Sequence, residues 1–191
     1  MLDLQFTTCF WNYDRTNPLL DGRVTVAGAA PQYTILSPPE NFLRTFTDHP
    51  FDVTEMSFSN YMTAHTEDRS PYTAIPVFLS RTFRHGAIFI RTDSGIAEPH
   101  DLEGKSVGLV EYDMTAAVVV RGILRDEYGV DTTKIRWRVG DPEVPWRKII
   151  PIPNVPGGVD IAPVAGGRTL NDAIANGILD ALIGIEPPSC F

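Results

Sequence analysis

An α/β fold in two lobes, each built on a mainly parallel sheet, is what this chain predicts. Two patterns carry the prediction. Short apolar, strand-like runs alternate with helical segments from the first residues onward, a βαβαβ order that favours parallel strands with helices over their faces. Near residue 92 the pattern restarts, with a polar crossing followed by a new strand–turn–helix series. Residues 1–91 and 92–191 are therefore expected as two lobes with a crevice between them.

In the first lobe, Leu2 to Phe10 alternates loosely and is rich in apolar and Thr residues, as a strand requires. Thr16 is placed to cap a short helix over Asn17 to Leu20, closed by Asp21-Gly22. Val24 to Val26 and Tyr33 to Leu36 read as strands. Pro38-Pro39 then precede a helix of about Glu40 to Asp48, with Phe42, Leu43 and Phe46 on one face. Phe51 to Met56 is a third strand, and Ser57 or Ser59 caps a helix running to about His65 with Phe58, Tyr61 and Met62 at helical spacing. Ile75 to Leu79 reads as a fourth strand and Ala87 to Ile90 as a fifth.

Thr92 to His100 is the crossing. In the second lobe, residues 101–105 form a helical turn leading to a strand from Ser106 to Val110. A helix from Thr115 to Tyr128 ends at Gly129, a natural C-cap. Ile135 to Val139 is a strand, Trp146 to Ile152 another interrupted by prolines, and Asn154 to Gly167 a loop-rich stretch. Thr169 caps a helix over Leu170 to Asn176, Gly177 ends it, and Leu179 to Ile185 is a strand.

The composition narrows the function. A formal net charge of −8, with no block of Lys and Arg, argues against nucleic acid as a partner. No apolar run is long enough to span a membrane. The N-terminal MLDLQFTTCF has neither a basic start nor a small-residue cleavage pattern. Two cysteines, Cys9 and Cys190, make no disulfide framework, so a reduced, cytoplasmic protein is expected, with Cys9 as a small buried hydrophobe. His49, His65 and His100 have no metal-ligand spacing to one another or to the cysteines, and no metal or other cofactor is expected. A homo-oligomer is compatible with the sequence.

Several segments carry a family resemblance. DLEGKSVGLVEYDMTAAVVVRGILRDEYGV (101–130) resembles the start of the second lobe in type 2 periplasmic-binding-protein-like folds, and LNDAIANGILDALIG (170–184) a later helix–strand unit of the same fold. More specifically, WNYDRTNPLLDGRV (11–24), FDVTEMSFSNYM (51–62), AIPVFLSRTFRHGAIFI (74–90) and EYDMTAAVVVRGIL (111–124) are similar, in order, to the 4,5-dihydroxyphthalate decarboxylases. The resemblance implies non-oxidative decarboxylation of a small aromatic dicarboxylate, with 3,4-dihydroxybenzoate and carbon dioxide as products. Chains of that family continue well beyond IGIEPPSCF, so the second lobe is expected to be incomplete, and a shortened or inactive fragment is one reading of the chain.

The candidate site residues follow strand ends, where ligands bind in open α/β sheets. Arg81 and Arg84 are assigned the carboxylate clamp, because paired guanidinium groups grip carboxylates with bidentate hydrogen bonds. Their alternative is a solvated turn paired with surface acids. His85 or Glu55 is assigned proton transfer; the alternatives are a cap of strand five for His85 and an arginine partner for Glu55. Tyr13, Asp14 and Arg15 end strand one. Asp14 either orients Arg15, accepts a catechol proton, or bonds its own backbone in an Asx turn. Ser57 either caps its helix or touches substrate. Tyr112 and Thr115 flank the second-lobe helix start, where first-turn amides attract an anion; capping by Asp113 or Thr115 is the alternative. Trp11, Phe58, Phe83 and Tyr112 can stack on a ring, although aromatics at such positions are commonly core. The competing functional class is a solute-binding or sensor protein that holds a small aromatic or anionic ligand without chemistry, since two-lobed folds of this kind are used chiefly for binding.

Overall fold

The computed structural model describes residues 3–145 and 157–191. It divides into two units, Met1–Arg81 and Thr82–Phe191.

The first unit is built on a three-stranded parallel sheet of order β2-β1-β3. The strands are β1 (Leu4–Cys9), β2 (Ala29–Thr34) and β3 (Val53–Thr54). Three helices follow them: α1 (Asn17–Leu20), α2 (Pro38–Thr47) and α3 (Phe58–Thr66). β2 runs alongside the whole of β1, from Leu4 opposite Ala29 to Cys9 opposite Thr34. It begins four residues before the expected Tyr33 and tolerates Pro31 because it is an edge strand, where a missing N–H costs no ladder bond. β3 pairs only through Thr8–Val53 and Cys9–Thr54. Asp52 lengthens that contact, since its Oδ2 accepts from the Thr7 N–H at 2.7 Å and the Thr7 hydroxyl at 2.8 Å.

α2 departs from its expected face. Phe42, Leu43 and Phe46 are only half-buried, and the fully buried side chains are Asn41 and Thr45. Burying them is tolerable because they are bonded: Asn41 Oδ1 accepts from Thr45 (3.2 Å) and Thr54 (3.1 Å), and its Nδ2 donates to the Glu55 carbonyl (3.1 Å). In α3, Tyr61 is buried as its spacing predicts, whereas Phe58 and Met62 are exposed.

Two expected strands do not form. Val24 to Val26 is irregular. Ile75 to Leu79 is also irregular and carries Pro76, which removes a ladder donor; among the described residues no strand pairs with it. Its apolar side chains Ile75, Val77 and Phe78 are exposed.

The second unit holds a five-stranded sheet of order β4-β8-β5-β6-β7. Its strands are β4 (Ile88–Ile90), β5 (Ser106–Leu109), β6 (Arg136–Val139), β7 (Ile161–Pro163) and β8 (Ala181–Ile183). All neighbours are parallel except β4 and β8. β4 was expected to close the first lobe; it pairs here with β8 instead. β7 lies inside the stretch expected to be loop-rich. The strand expected at Trp146 to Ile152 lies outside the described residues.

Helix α4 (Thr115–Asp126) and helix α5 (Leu170–Ala175) supply two separate apolar clusters. Ala117, Val120 and Leu124 of α4 join Val107, Leu109, Ile135 and Trp137. Leu170, Ala173 and Ile174 of α5 join Leu179 and Leu182. The two-residue period of a strand separates them: Val107 and Leu109 point to α4, so Gly108 points to α5. Gly108 is the close-approach position. A Cβ there would sit 2.6 Å from Leu179 Cδ1 and 3.0 Å from Leu170 Cδ2. Gly129, with φ +68°, takes the left-handed conformation just past α4, as the C-cap expectation required.

Candidate functional site

In the first unit the parallel sheet brings three strand exits to one edge. β1 leads into Phe10–Arg15, and β3 leads directly into Glu55–Ser57. Glu55 is a well-held carboxylate in this unit. Its N–H donates to the Cys9 carbonyl at 3.0 Å, and its own carbonyl accepts from buried Asn41. Its side chain is fixed at both oxygens: Oε1 accepts the Tyr13 phenol at 2.6 Å, and Oε2 the Trp11 N–H at 3.2 Å. Such a group is preorganised, with little rotamer freedom left to lose.

Tyr13 is positioned by Thr16. The Thr16 hydroxyl, 2% exposed as a residue, accepts the Tyr13 N–H at 3.0 Å and lies 3.0 Å from the Trp11 carbonyl. Thr16 is thus the N-cap of α1 by position, but its side chain caps nothing; it closes the Trp11–Tyr13 loop. Burial and then the neighbouring Glu55 carboxylate push the Tyr13 phenol far above its ordinary range, while Ser80 and Arg15 pull it down. The phenol therefore stays protonated and donating. Arg15 lies over the Tyr13 ring, 4.9 Å from its centroid.

Asp14 takes the local role. Its Oδ1 accepts the Arg15 N–H at 2.8 Å and bridges to the Arg15 guanidinium at 3.1 Å, and its side chain is 92% exposed. Ser57 is buried at the start of α3 without a capping hydrogen bond, and its hydroxyl donates to Asn60 Oδ1 at 2.9 Å. Arg81 is exposed at the end of the unit, with its guanidinium 5.9 Å from the Phe78 ring centroid. No strand precedes it, so the strand-end geometry expected for Arg81, Arg84 and His85 is absent.

In the second unit Arg84 and His85 open a 3-10 turn that leads into β4. His85 Nε2 meets Glu127 Oε2 at 3.1 Å, with both side chains about half exposed. Glu127 follows the last residue of α4, whereas Tyr112 and Thr115 lie at its start. Twelve residues of helix separate the two ends by about 18 Å. His85 is not brought together with Tyr112 and Thr115. It borders instead a cavity of about 210 Å³ lined chiefly by Ile88, Ile96, Leu102, Ile123 and Tyr128.

The start of α4 differs from the capping expectation. Met114 stands at its N-cap position and makes no side-chain capping bond. Burial raises the Asp113 carboxyl above its ordinary range. Tyr112 is buried, and its ring packs edge-on to Trp137 with centroids 5.9 Å apart. Of the other ring candidates, Phe83 is 91% exposed and Trp11 39%, so neither is core.

Sequence reasoning missed Asn41 and Arg121, and gave Thr16 only a capping role. Asn41 and Thr45 stand one helical turn apart on α2, a spacing that marks a polar stripe; no comparable signal marked Arg121. Among the described residues no three His, Cys, Asp or Glu side chains are grouped to hold a metal, and no helix is long and apolar enough to cross a membrane.

No family model matches the chain. A 4,5-dihydroxyphthalate decarboxylase of Comamonas testosteroni is 41% identical to it over 191 residues, which is all of this chain and 58% of the relative. A second protein of that name, from Pseudomonas putida, is 38% identical over the same 191 residues and 74% covered. The chain thus spans between about three-fifths and three-quarters of these relatives. Among solved structures, the probable amino-acid ABC transporter extracellular-binding protein ytmK of Bacillus subtilis aligns over 95% of this chain and 70% of its own, at 14% identity and a TM-score of 0.41. With every residue aligned to two relatives of one name, this chain belongs to the 4,5-dihydroxyphthalate decarboxylase family.

Proposed function

We propose that the protein this chain represents decarboxylates an aromatic dicarboxylate without an oxidant, converting 4,5-dihydroxyphthalate to 3,4-dihydroxybenzoate and carbon dioxide. The observation that carries this is the identity of 41% and 38%, across the whole chain, to two relatives named for that activity. Glu55, held at both oxygens at a strand exit, supplies a group of the right chemistry.

The reaction needs a place for the electron pair of the breaking carbon–carbon bond. A hydroxyl para to the departing carboxylate provides it. As that hydroxyl gives up its proton, the ring carbon bearing the carboxylate accepts one and becomes tetrahedral, and the ring holds a ketone-like form. The carbon–carboxylate bond then breaks, carbon dioxide leaves, and its bonding electrons return to the ring and restore aromaticity. The hydroxyl regains a proton, so the balance is one proton taken up and one carbon dioxide released.

Glu55 is assigned the proton transfer, with Tyr13 holding its carboxylate in place. His85 is the other candidate from the sequence, and its engagement with Glu127 makes it the less favoured of the two. Arg81 and Arg15 are assigned the substrate carboxylates, Asp14 the orientation of Arg15, and Ser57 and Thr115 further substrate contacts; Arg84 lies beside His85 at the other end of α4 from Thr115, and the Tyr112 ring is buried against Trp137, so neither is assigned a contact. A reduced, cytoplasmic setting belongs to the same proposal and is supported by Cys9 and Cys190 both being free thiols.

Incubating the purified chain with 4,5-dihydroxyphthalate and following 3,4-dihydroxybenzoate by chromatography tests the proposal. Product that accumulates with enzyme and falls sharply in Glu55→Gln supports it. No product at high protein load, with diacid binding still detected by calorimetry, replaces it with the binding-protein alternative.

A further inference from the structure

Arg121 is a partly buried cation on the second turn of α4. Its guanidinium carbon lies 3.6 Å from the centroid of the Tyr112 ring and 5.9 Å from that of Trp137. Its Nη1 donates to the Tyr112 carbonyl at 2.6 Å. Tyr112 and Trp137 are themselves packed edge to face, and Trp137 is fully buried with its Nε1 donating to the Thr132 carbonyl at 3.1 Å. One side chain of α4 therefore reaches back across nine residues and fastens the loop that precedes its own helix.

This arrangement has a cost and a use. Burial disfavours the charged guanidinium, and the nearby Tyr112 and Asp113 offset this only in part. A lysine fits poorly, because only a planar guanidinium can lie flat on a ring while directing an N–H in its plane to a carbonyl. A leucine would fill much of the same space without the desolvation cost, so packing alone does not account for an arginine here. What the arginine adds is a fixed path for residues 112–115, which set the direction of the first-turn amides of α4.

We propose that Arg121 is a positioning residue: by stacking on Tyr112 and bonding its carbonyl, it fixes residues 112–115 so that Thr115 and the first-turn amides of α4 meet the substrate. The inference rests on the reading above, in which Thr115 is a substrate contact. Arg121 itself touches no substrate in this account. Its loss weakens binding of the diacid and leaves the proton-transfer step unchanged, since an interaction lost equally from ground and transition states raises KM without lowering kcat.

The test uses Arg121→Met and Arg121→Lys in the full chain, with two readouts. The first is amide hydrogen exchange. Both variants are expected to exchange faster at residues 112–117 while β5 and β6 keep their protection. Unchanged exchange at 112–117 in a folded variant overturns the proposal, whether or not the chain has activity. The second is turnover of 4,5-dihydroxyphthalate. KM is expected to rise roughly ten- to hundredfold in Arg121→Met, the scale of one hydrogen bond to a charged group, with kcat within about twofold. A fall in kcat with KM unchanged overturns the positioning role. If Arg121→Met does not fold, Arg121→Lys keeps the charge and most of the packing and decides the same two questions. If the wild-type chain neither binds nor turns over the diacid, the decarboxylase reading fails, and the exchange experiment still decides what Arg121 does to the loop.

Discussion

The Tyr13 phenol donates to Glu55 Oε1 across 2.6 Å, joining the loop after β1 to the residue after β3. The pairing turns two adjacent strand exits into one unit. Glu55 is then held at its side chain by a phenol and a backbone amide, and at its own carbonyl by the buried Asn41 amide.

That pairing predicts how stability changes at alkaline pH. The folded state raises the Tyr13 phenol above its ordinary value of 10.0, and the unfolded chain does not. The folded state therefore holds this proton more tightly, and the contribution is fully present below pH 10 and lost as pH rises above it. Thermal melts from pH 8 to 11.5 should show Tyr13→Phe less stable near neutrality by about 1 kcal/mol, the usual net worth of one hydrogen bond. The variant should also lose less stability on the alkaline side than the wild type. Parallel pH curves for the two proteins would refute the shift.

Glu55→Gln and His85→Ala separate the two proton-transfer candidates. Removing a general acid–base group typically lowers the rate by ~10²–10⁴-fold. Glu55→Gln should fall in that range. His85→Ala, which breaks only a half-exposed pair with Glu127, should change kcat little, since exposed pairs contribute about 0–1 kcal/mol. The reverse result, measured as kcat on 4,5-dihydroxyphthalate, moves the chemistry to His85.

Gly108→Ala probes the α5 face of the second sheet. The added methyl meets Leu179, Leu170 and Leu182 side chains, the nearest at 2.6 Å, and all three are buried. Overpacking of this kind costs about 1–3 kcal/mol. A urea midpoint equal to that of the wild type would mean the three leucines repack freely.

The two thiols should differ in reactivity. Cys190 is exposed, while Cys9 is fully buried and its thiol is pushed up to about 11 by that burial. A thiolate is the reactive form, so Cys9 is shielded twice. Titration with a disulfide reagent at pH 8 should label one thiol per native chain and two after denaturation. Two fast thiols in the native state would contradict the packing around β1.

Local pattern was enough for the elements whose signals are themselves local. Pro38-Pro39 opens α2, Thr169 caps α5 through the Asp172 N–H at 3.0 Å, and Gly129 closes α4 in the left-handed conformation. The family could likewise be read from four ordered segments of residues. What failed depended on partners. Ile75 to Leu79 has a strand's composition, yet a strand exists only where another offers its ladder, and none pairs with it among the described residues. Ile88–Ile90 is legible as a strand, but its partner is not, because pairing with Ala181–Ile183 joins positions about ninety apart in the chain.

For the candidate site, the residue types were legible in the chain: Tyr13 and Glu55 at the exits of β1 and β3, and Tyr112 and Thr115 around the start of α4. Their partners came with the fold. It gave Glu55 to Tyr13 and the Trp11 amide, Asp14 to Arg15, His85 to Glu127, and Tyr112 to an arginine that no motif marks. The reason is physical. Turn and cap signals act over a few residues and leave a trace in the local order of amino acids. A hydrogen bond across forty positions depends on sheet order and register, which no short stretch of chain encodes alone.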